Sequence, residues 1–163
     1  MVDILTPRIV LHPIRPAEAA RIIAREPLPD DAWAPGYPFE DELDVLRPLA
    51  ASPATAGAGP FATYMIRERE SGLAIGGLGF VGEPDATGAV EIGYGLIPGA
   101  RGHGFATEAV RGAVELARMA GATSVTADTA VDNGASQRVM QRAGFSETAR
   151  DEKLVYWAIL LES

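Results

Sequence analysis

A turn that contains two glycines, residues 101–106, is the strongest chemical signal in the chain. It leads directly into a segment whose apolar residues have helical spacing. Backbone N–H groups in such a turn can point at one anionic group, and the helix dipole adds roughly half a positive charge there. A purely structural turn is the competing interpretation. The functional interpretation predicts a diphosphate cradle formed by Arg101, Gly102, His103, Gly104, Phe105 and Ala106.

A carboxylate precedes this turn, near the start of a predicted strand over residues 88–97. Glu91 is therefore a candidate base, with an exposed strand carboxylate as the alternative. His103 lies inside the turn, where its backbone N–H is expected to matter more than its ring. The chain has two histidines and no cysteine, so neither a metal site nor a thiolate nucleophile is expected.

Composition limits the class of protein. The length of 163 residues, with 47% hydrophobic and 22% charged residues, predicts one soluble domain over residues 1–163. No segment approaches the roughly 20 apolar residues of a membrane helix, and the first residues lack the basic region of a signal peptide. The net charge of -8 argues against nucleic-acid binding. We expect a cytoplasmic protein with neither a nucleic-acid nor a membrane partner.

Periodicity and turn residues predict an α/β fold, with helices packed on a mixed, mainly antiparallel central sheet. About seven strands are predicted, at residues 6–14, 61–68, 72–81, 88–97, 123–129, 145–150 and 153–161. About four helices are predicted, at residues 16–24, 40–50, 104–120 and 133–142. The proline-rich segment 27–38 is expected to be irregular.

Downstream of the glycine turn, Asn133 and Ser136 open a short helix that leads to the sequence Ala-Gly-Phe at residues 143–145. In chain order, Arg-x-x-Gly-x-Ala, a helix and a strand, Asn-x-x-Ser and Ala-Gly-Phe resemble the GCN5-related N-acetyltransferase (GNAT) superfamily. The first strand and the sequence Glu-Ile-Gly-Tyr at residues 91–94 resemble its RimJ/RimL-like branch, the ribosomal-protein N-terminal acetyltransferases. The resemblance extends over most of the chain, and the motifs are specific as a set.

The resemblance implies acetyl-CoA as co-substrate, bound where the fourth and fifth strands of the family splay apart. The pantetheine arm would pair with the backbone of Gly95, Leu96 and Ile97. The diphosphate would accept hydrogen bonds from the N–H groups of residues 101–106, where glycines allow close approach.

Three residues on the later helix complete the implied cofactor contacts. Asn133 would hydrogen-bond the pantetheine, Ser136 would lie near the thioester sulfur, and Arg142 would meet the CoA phosphates. Plainer roles stay open: a helix N-cap for Asn133, a solvated hydroxyl for Ser136 and a surface charge for Arg142.

Acetyl transfer to an amine requires a base, because a primary amine with a pKa of about 10 is mostly protonated at neutral pH. Glu91 matches the strand glutamate that some members of the family use in this way. Many members place a tyrosine, as proton donor, where this chain has Met140, which cannot donate a proton. The RimJ/RimL-like branch suggests Ser136 as the replacement. Tyr94 is the weaker substitute, since its alternating position is also compatible with the core.

The acceptor side of the family fold would include an aromatic and acidic loop. Trp33 and Tyr37, with Asp30 and Asp31, suit a cationic amine, and a hydrophobic plug with solvated acids is the rival interpretation. Asp128 on the fifth strand would orient the amine or a water, or would be a structural aspartate.

The expected activity is direct acetyl transfer from acetyl-CoA to the primary amine of a small molecule or a protein N-terminus. An acyl-CoA-binding regulatory module with little or no catalysis is the alternative, because Met140 occupies the usual tyrosine position. A dinucleotide oxidoreductase would need a parallel sheet and a glycine where Thr107 stands. Both a monomer and a homodimer are compatible with the sequence.

Overall fold

Eight strands form one sheet in the computed structural model, which describes residues 3–162. Met1, Val2 and Ser163, the ends of the predicted domain, lie outside the described residues. The sheet order is β1-β2-β3-β4-β5-β6-β8-β7, and only the β5–β6 pair is parallel. The strands are β1 Ile4–Leu5, β2 Ile9–Pro13, β3 Thr63–Glu68, β4 Ala74–Val81, β5 Ala89–Leu96, β6 Ser124–Ala130, β7 Ser146–Arg150 and β8 Leu154–Leu160.

Four α-helices flank the sheet and confirm the predicted positions to within a residue or so. They are α1 Pro16–Ala24, α2 Glu40–Ala50, α3 Phe105–Met119 and α4 Gly134–Arg142. Proline occupies the first turn of α1, and three acidic residues stand in the first turn of α2, where they complement the helix dipole. Two one-turn 3-10 helices, Pro29–Asp31 and Pro98–Ala100, were not predicted. No helix among residues 3–162 is long and apolar enough to span a membrane.

The predicted first strand over residues 6–14 is confirmed only as β2, Ile9–Pro13, which begins later than predicted, and the short strand β1 before it was not predicted. Thr6 donates its backbone N–H to the carbonyl of Ile9 at 3.0 Å, so a tight turn around Pro7 separates β1 from β2. The turn adds one short edge strand, which brings the number of strands from seven to eight. The proline lacks a backbone N–H and cannot join the ladder, which explains the interruption.

The two faces of the sheet carry different layers. The third helix packs across β2, β5 and β6, and α4 packs beside it on β6. On the opposite face, the α2 region covers two glycines of the sheet. A Cβ atom on Gly95 would lie 2.4 Å from the Phe39 ring, and one on Gly77 would lie 2.5 Å from the Glu42 carboxylate. These glycines let α2 approach the backbone of β4 and β5 closely.

Candidate active site

The parallel strands β5 and β6 pair over only three residues each, Ala89–Glu91 with Ser124–Thr126. Beyond this point β6 continues in its ladder with β8, and β5 continues in its ladder with β4 up to Leu96. The edge of β5 that faces β6 therefore has no strand partner from Ile92 onward, and the two strands separate. This confirms the predicted splay and leaves an extended backbone edge to which another chain-like group can be added.

Strand alternation distributes the candidate catalytic groups over the two faces of this gap. Glu91 is the last residue of β5 that pairs with β6, and its partner is Thr126. Glu91 and Asp128 are both exposed and lie on the same face as Thr126. Tyr94 is three positions after Glu91, so its side chain lies on the other face, toward α3 and α4. The structure thus places Glu91 and Asp128 on one face of the sheet and Tyr94 on the other.

On the α4 side of the gap, the Tyr94 and Ser136 hydroxyl oxygens are 2.8 Å apart and form a hydrogen bond. Burial raises the pKa of Tyr94, and the bond to Ser136 only partly opposes this shift. Asn133 is the N-cap of α4, and its Oδ1 accepts a hydrogen bond from the Ser136 N–H at 3.1 Å. The N-cap interpretation of Asn133 is therefore correct, and its amide NH₂ group is left as the donor for a ligand.

The glycine turn has an open surface at the N-terminus of α3. Gly102 and Gly104 both have a φ of +83°, which other residues adopt only with strain. A Cβ atom on Gly102 would meet nothing within 4 Å. Arg101 differs from the prediction, because its N–H already donates to the Pro98 carbonyl at 3.3 Å. Within residues 3–162, none of the N–H groups from Gly102 to Ala106 donates to a backbone carbonyl outside the helices and strands.

Arg8 and Glu108 hold this turn from outside. Arg8 donates from Nη1 to the His103 carbonyl and from Nε to Glu108 Oε1, both at 2.8 Å, and its guanidinium lies 4.8 Å from the centre of the Phe105 ring. Burial alone would raise the pKa of Glu108, but hydrogen bonds from Thr6 and Arg8 outweigh it and lower that pKa. The carboxylate therefore stays ionised and fixes the start of α3 to the β1–β2 turn.

Two of the backbone groups predicted to bind pantetheine are already occupied. The Ile97 N–H donates to the Ile75 carbonyl at 2.9 Å, and the Leu96 carbonyl accepts a hydrogen bond from Arg101 Nε at 3.1 Å. Residue 97 lies just past β5, where the chain turns back toward β4. Gly95 is the ladder partner of Gly77, and strand alternation directs its backbone groups to β4, as it does those of Ile97. The N–H of Leu96 is therefore the candidate contact left among the three predicted residues.

The aromatic loop differs most from the prediction. Tyr37 is only 6% exposed, and its hydroxyl donates to Glu42 at 3.2 Å, so its ring belongs to the core and is not free to receive an amine. Trp33 is half-buried and packs edge-on against Tyr37, with ring centres 5.5 Å apart. Asp31 is buried in a two-pronged ion pair with Arg21 and is not a free carboxylate. The plug interpretation therefore describes Tyr37, whereas Asp31 is a buried, ion-paired carboxylate and not the solvated acid of that interpretation.

Glu42 is a buried carboxyl group that the sequence interpretation missed. It is 6% exposed, and burial raises its pKa to about 7 despite the hydrogen bond from Tyr37. Within residues 3–162, Glu42 Oε2 and Trp33 Nε1 are the two buried side-chain polar atoms without a hydrogen-bond partner. The helical spacing of residues 42, 43 and 46 on one face of α2 was the available signal, since Leu43 and Leu46 are buried beside Glu42.

The remaining predicted residues lie at the periphery. Arg142 is exposed at the end of α4, and its carbonyl accepts a hydrogen bond from Arg111 of α3 at 2.7 Å. His103 is exposed, and its ring packs at a tilt near Phe105. Among residues 3–162, no group of three or more histidine or acidic side chains is arranged to hold a metal ion.

Comparison with known proteins agrees with this geometry. The acetyltransferase (GNAT) domain family matches residues 8–146. The uncharacterized N-acetyltransferase YjdG of Bacillus subtilis (strain 168) is 28% identical over 124 residues, covering 76% of this chain and 73% of that protein.

Two solved structures share the fold. One is RimL, a ribosomal L7/L12 alpha-N-protein acetyltransferase in complex with coenzyme A, with a TM-score of 0.72, 16% identity and 98% of both chains covered. The other is the ribosomal-protein-S5-alanine acetyltransferase from Vibrio fischeri, with a TM-score of 0.70, 16% identity and 98% and 97% covered. The splayed sheet and the family match lead to one conclusion: this chain belongs to the GNAT acetyltransferase family and is an acyltransferase that uses acetyl-CoA.

Proposed function

We propose that this protein is an N-acetyltransferase that moves the acetyl group of acetyl-CoA directly to a primary amine. The acceptor is a protein N-terminus or a small-molecule amine. The separation of β5 and β6 after Glu91 carries the proposal, because it offers a backbone edge and a gap between two chemically different faces. The name of the relative YjdG, an N-acetyltransferase, supports a nitrogen acceptor.

The cofactor side of the gap suits a diphosphate and an extended amide chain. The N–H groups from Gly102 to Ala106 would donate to the diphosphate at the positive end of α3, and Arg142 would contact a phosphate from α4. The Leu96 N–H would donate to the pantetheine, and the Asn133 amide would donate to one of its carbonyls. These contacts would hold the thioester between the faces that carry Glu91 and Ser136.

The acceptor side presents the exposed carboxylates Glu91 and Asp128 on one face. Two carboxylates attract an ammonium group, and Trp33 would contribute an aromatic edge near the entrance. Glu91 would take a proton from the amine, directly or through one water, so that the neutral nitrogen attacks the thioester carbonyl. Asp128 would orient the amine during this transfer.

Ser136 would supply the proton that the departing thiolate needs. It lies on the α4 face, opposite the face of Glu91, so the incoming nitrogen and the leaving sulfur would be served by separate groups. No covalent acyl-enzyme is required, and the chain has no cysteine to carry one.

The test is incubation with acetyl-CoA and a panel of amines, with detection of the free CoA thiol. The panel would contain peptides with free N-termini, polyamines, amino acids and aminoglycosides. We expect amine-dependent thiol release, with an acetylated product of the mass predicted for one acetyl group. Thiol release that does not depend on any amine would contradict the proposal.

The same assay separates the alternative function, an acyl-CoA-binding regulatory module. The observation that favours this module is Met140, which is fully buried where many relatives carry a catalytic tyrosine. Tight acetyl-CoA binding without turnover on any amine would support the module. A cytoplasmic location and a monomeric or homodimeric state stay predictions, which cell fractionation and sedimentation would test.

A further inference from the structure

The four tyrosines of the chain differ in what their hydroxyls contact. Tyr37 donates to Glu42 in the core, Tyr64 donates to the Pro60 carbonyl, and Tyr156 donates to Asp151 at the edge of the sheet. Tyr94 alone places its hydroxyl at the gap between β5 and β6, 2.8 Å from the hydroxyl oxygen of Ser136. It therefore occupies the place where a phenol could serve the leaving sulfur.

The position of Tyr94 follows from the strand itself. It stands on the stretch of β5 that has lost its β6 partner, and alternation turns its ring toward α4. Ser136 is held in the first turn of α4 because its N–H donates to the Asn133 side chain. The two hydroxyls are thus held by different elements, β5 and α4, and meet in a fixed geometry across the cofactor face.

The chemistry of the pair suits proton supply and not proton removal. Burial keeps the Tyr94 phenol protonated at neutral pH, because its pKa is raised above the ordinary value. Either hydroxyl can donate in the 2.8 Å contact, and the Tyr94 hydroxyl also lies 3.4 Å from the Ser136 carbonyl oxygen. A serine hydroxyl alone is a weak acid, but when Tyr94 donates to Ser136 Oγ, the proton that Ser136 gives up is replaced by the phenol. The pair can therefore pass protons in sequence, from Tyr94 to Ser136 and from Ser136 to a group in the gap.

We infer that Tyr94 supplies the proton that Ser136 passes to the departing CoA thiolate, so that the pair replaces the missing tyrosine at position 140. This inference rests on the proposed N-acetyltransferase function. Ser136 is the catalytic donor, because it would touch the sulfur. Tyr94 acts through Ser136 and is a positioning residue that also restores its proton.

The step balances in atoms and charge. The amine nitrogen forms a bond to the thioester carbon, and the proton that the nitrogen loses goes to Glu91 and then to water. The carbon–sulfur bond breaks, and its electron pair stays on sulfur. Sulfur takes the Ser136 proton, Ser136 takes the Tyr94 proton, and the resulting phenolate is reprotonated by water.

The test uses the full chain with Tyr94→Phe, Ser136→Ala and the double variant, and any amine that the wild-type protein acetylates. Tyr64→Phe is the matched control, because it removes a phenol that donates to the Pro60 carbonyl and contacts neither Ser136 nor Asp128. We expect Tyr94→Phe to lower kcat with acetyl-CoA by about 10² or more, in the range of general acid catalysis, with little change in the KM for acetyl-CoA. The double variant should be no slower than the slower single variant, because the two groups act as a unit.

A second acyl donor separates proton supply from a structural role. An S-aryl thioacetate releases a thiolate that is stable without a proton, so the loss of rate in Tyr94→Phe should shrink to less than about threefold with this donor. Equal loss with both donors, or full activity of Tyr94→Phe with acetyl-CoA, would overturn the inference while the N-acetyltransferase function stands. Absence of transfer by the wild-type protein with both donors would overturn the proposed function and this inference with it.

Discussion

Glu42 allows a prediction about stability that does not depend on any substrate. The carboxyl group is buried over Gly77, its Oε1 accepts a hydrogen bond from Tyr37, and its Oε2 has no partner. The substitution Glu42→Gln keeps the shape and the acceptor for Tyr37 but cannot ionise. It therefore isolates the free energy of ionising this one buried group.

The sign follows from the direction of the pKa shift. The folded pKa of Glu42 is raised to about 7, above the ordinary value of 4.5, so the folded protein holds this proton to higher pH than the unfolded chain does. The wild-type free energy of unfolding should therefore fall as pH rises from about 4.5 to about 7. A difference of roughly 2.5 pKa units, at about 1.4 kcal/mol each, gives a loss of about 3 kcal/mol.

The assay is urea unfolding of the wild-type protein and Glu42→Gln between pH 5 and pH 8. The hydrogen bond from His12 to Glu18 raises the pKa of His12, but this contribution is common to both proteins and cancels in the difference. We expect the variant to gain about 2–3 kcal/mol relative to wild type across this range, which is roughly 5–10 °C in Tm. Unfolding free energies that stay parallel with pH would show that Glu42 is not a buried group of raised pKa.

Three further substitutions test the site. Glu91→Gln should lower kcat by about 10² and change the pH dependence of kcat, while the affinity for CoA stays the same. A variant whose kcat equals that of the wild-type protein from about pH 6 to pH 9 would remove Glu91 from the mechanism. Gly104→Val should raise the CoA Kd at least about tenfold in calorimetry, because it forces a side chain into a φ of +83° and within 3.1 Å of Arg8, whereas Gly99→Val, in open space, should bind normally. Glu108→Gln should destabilise the protein by about 1–3 kcal/mol in urea, and the exposed Glu115→Gln should be near neutral; equal effects of the two would refute the role of Glu108 in holding the turn.

Local signals in the sequence predicted most of the architecture. Proline at the start of α1 and the glycines just after α3 and α4 restrict the backbone within a few residues of themselves. The helix boundaries could therefore be predicted closely. The turn at Thr6 was missed because the predicted strand was extended through Pro7, which cannot join the ladder, and the hydrogen bond from Thr6 to Ile9 shows only in the structure.

The details of the site depend on contacts between distant parts of the chain, which one sequence does not display. Arg8 and Glu108 are 100 positions apart, and their ion pair appears only once β2 and α3 are packed. The occupied N–H of Arg101 depends on a one-turn helix at residues 98–100, which proline and glycine alone did not predict. Tyr37 was predicted to bind a ligand because it is an aromatic residue in an acidic loop. Only its packing against α2 shows that it is a core residue.

A structure of the protein with CoA bound tests the placement of the cofactor most directly. We expect the diphosphate within hydrogen-bond distance of the N–H groups from Gly102 to Ala106, and the pantetheine alongside the Leu96 N–H in the gap between β5 and β6. CoA bound on another surface, or β5 and β6 paired along their full length around it, would contradict this placement.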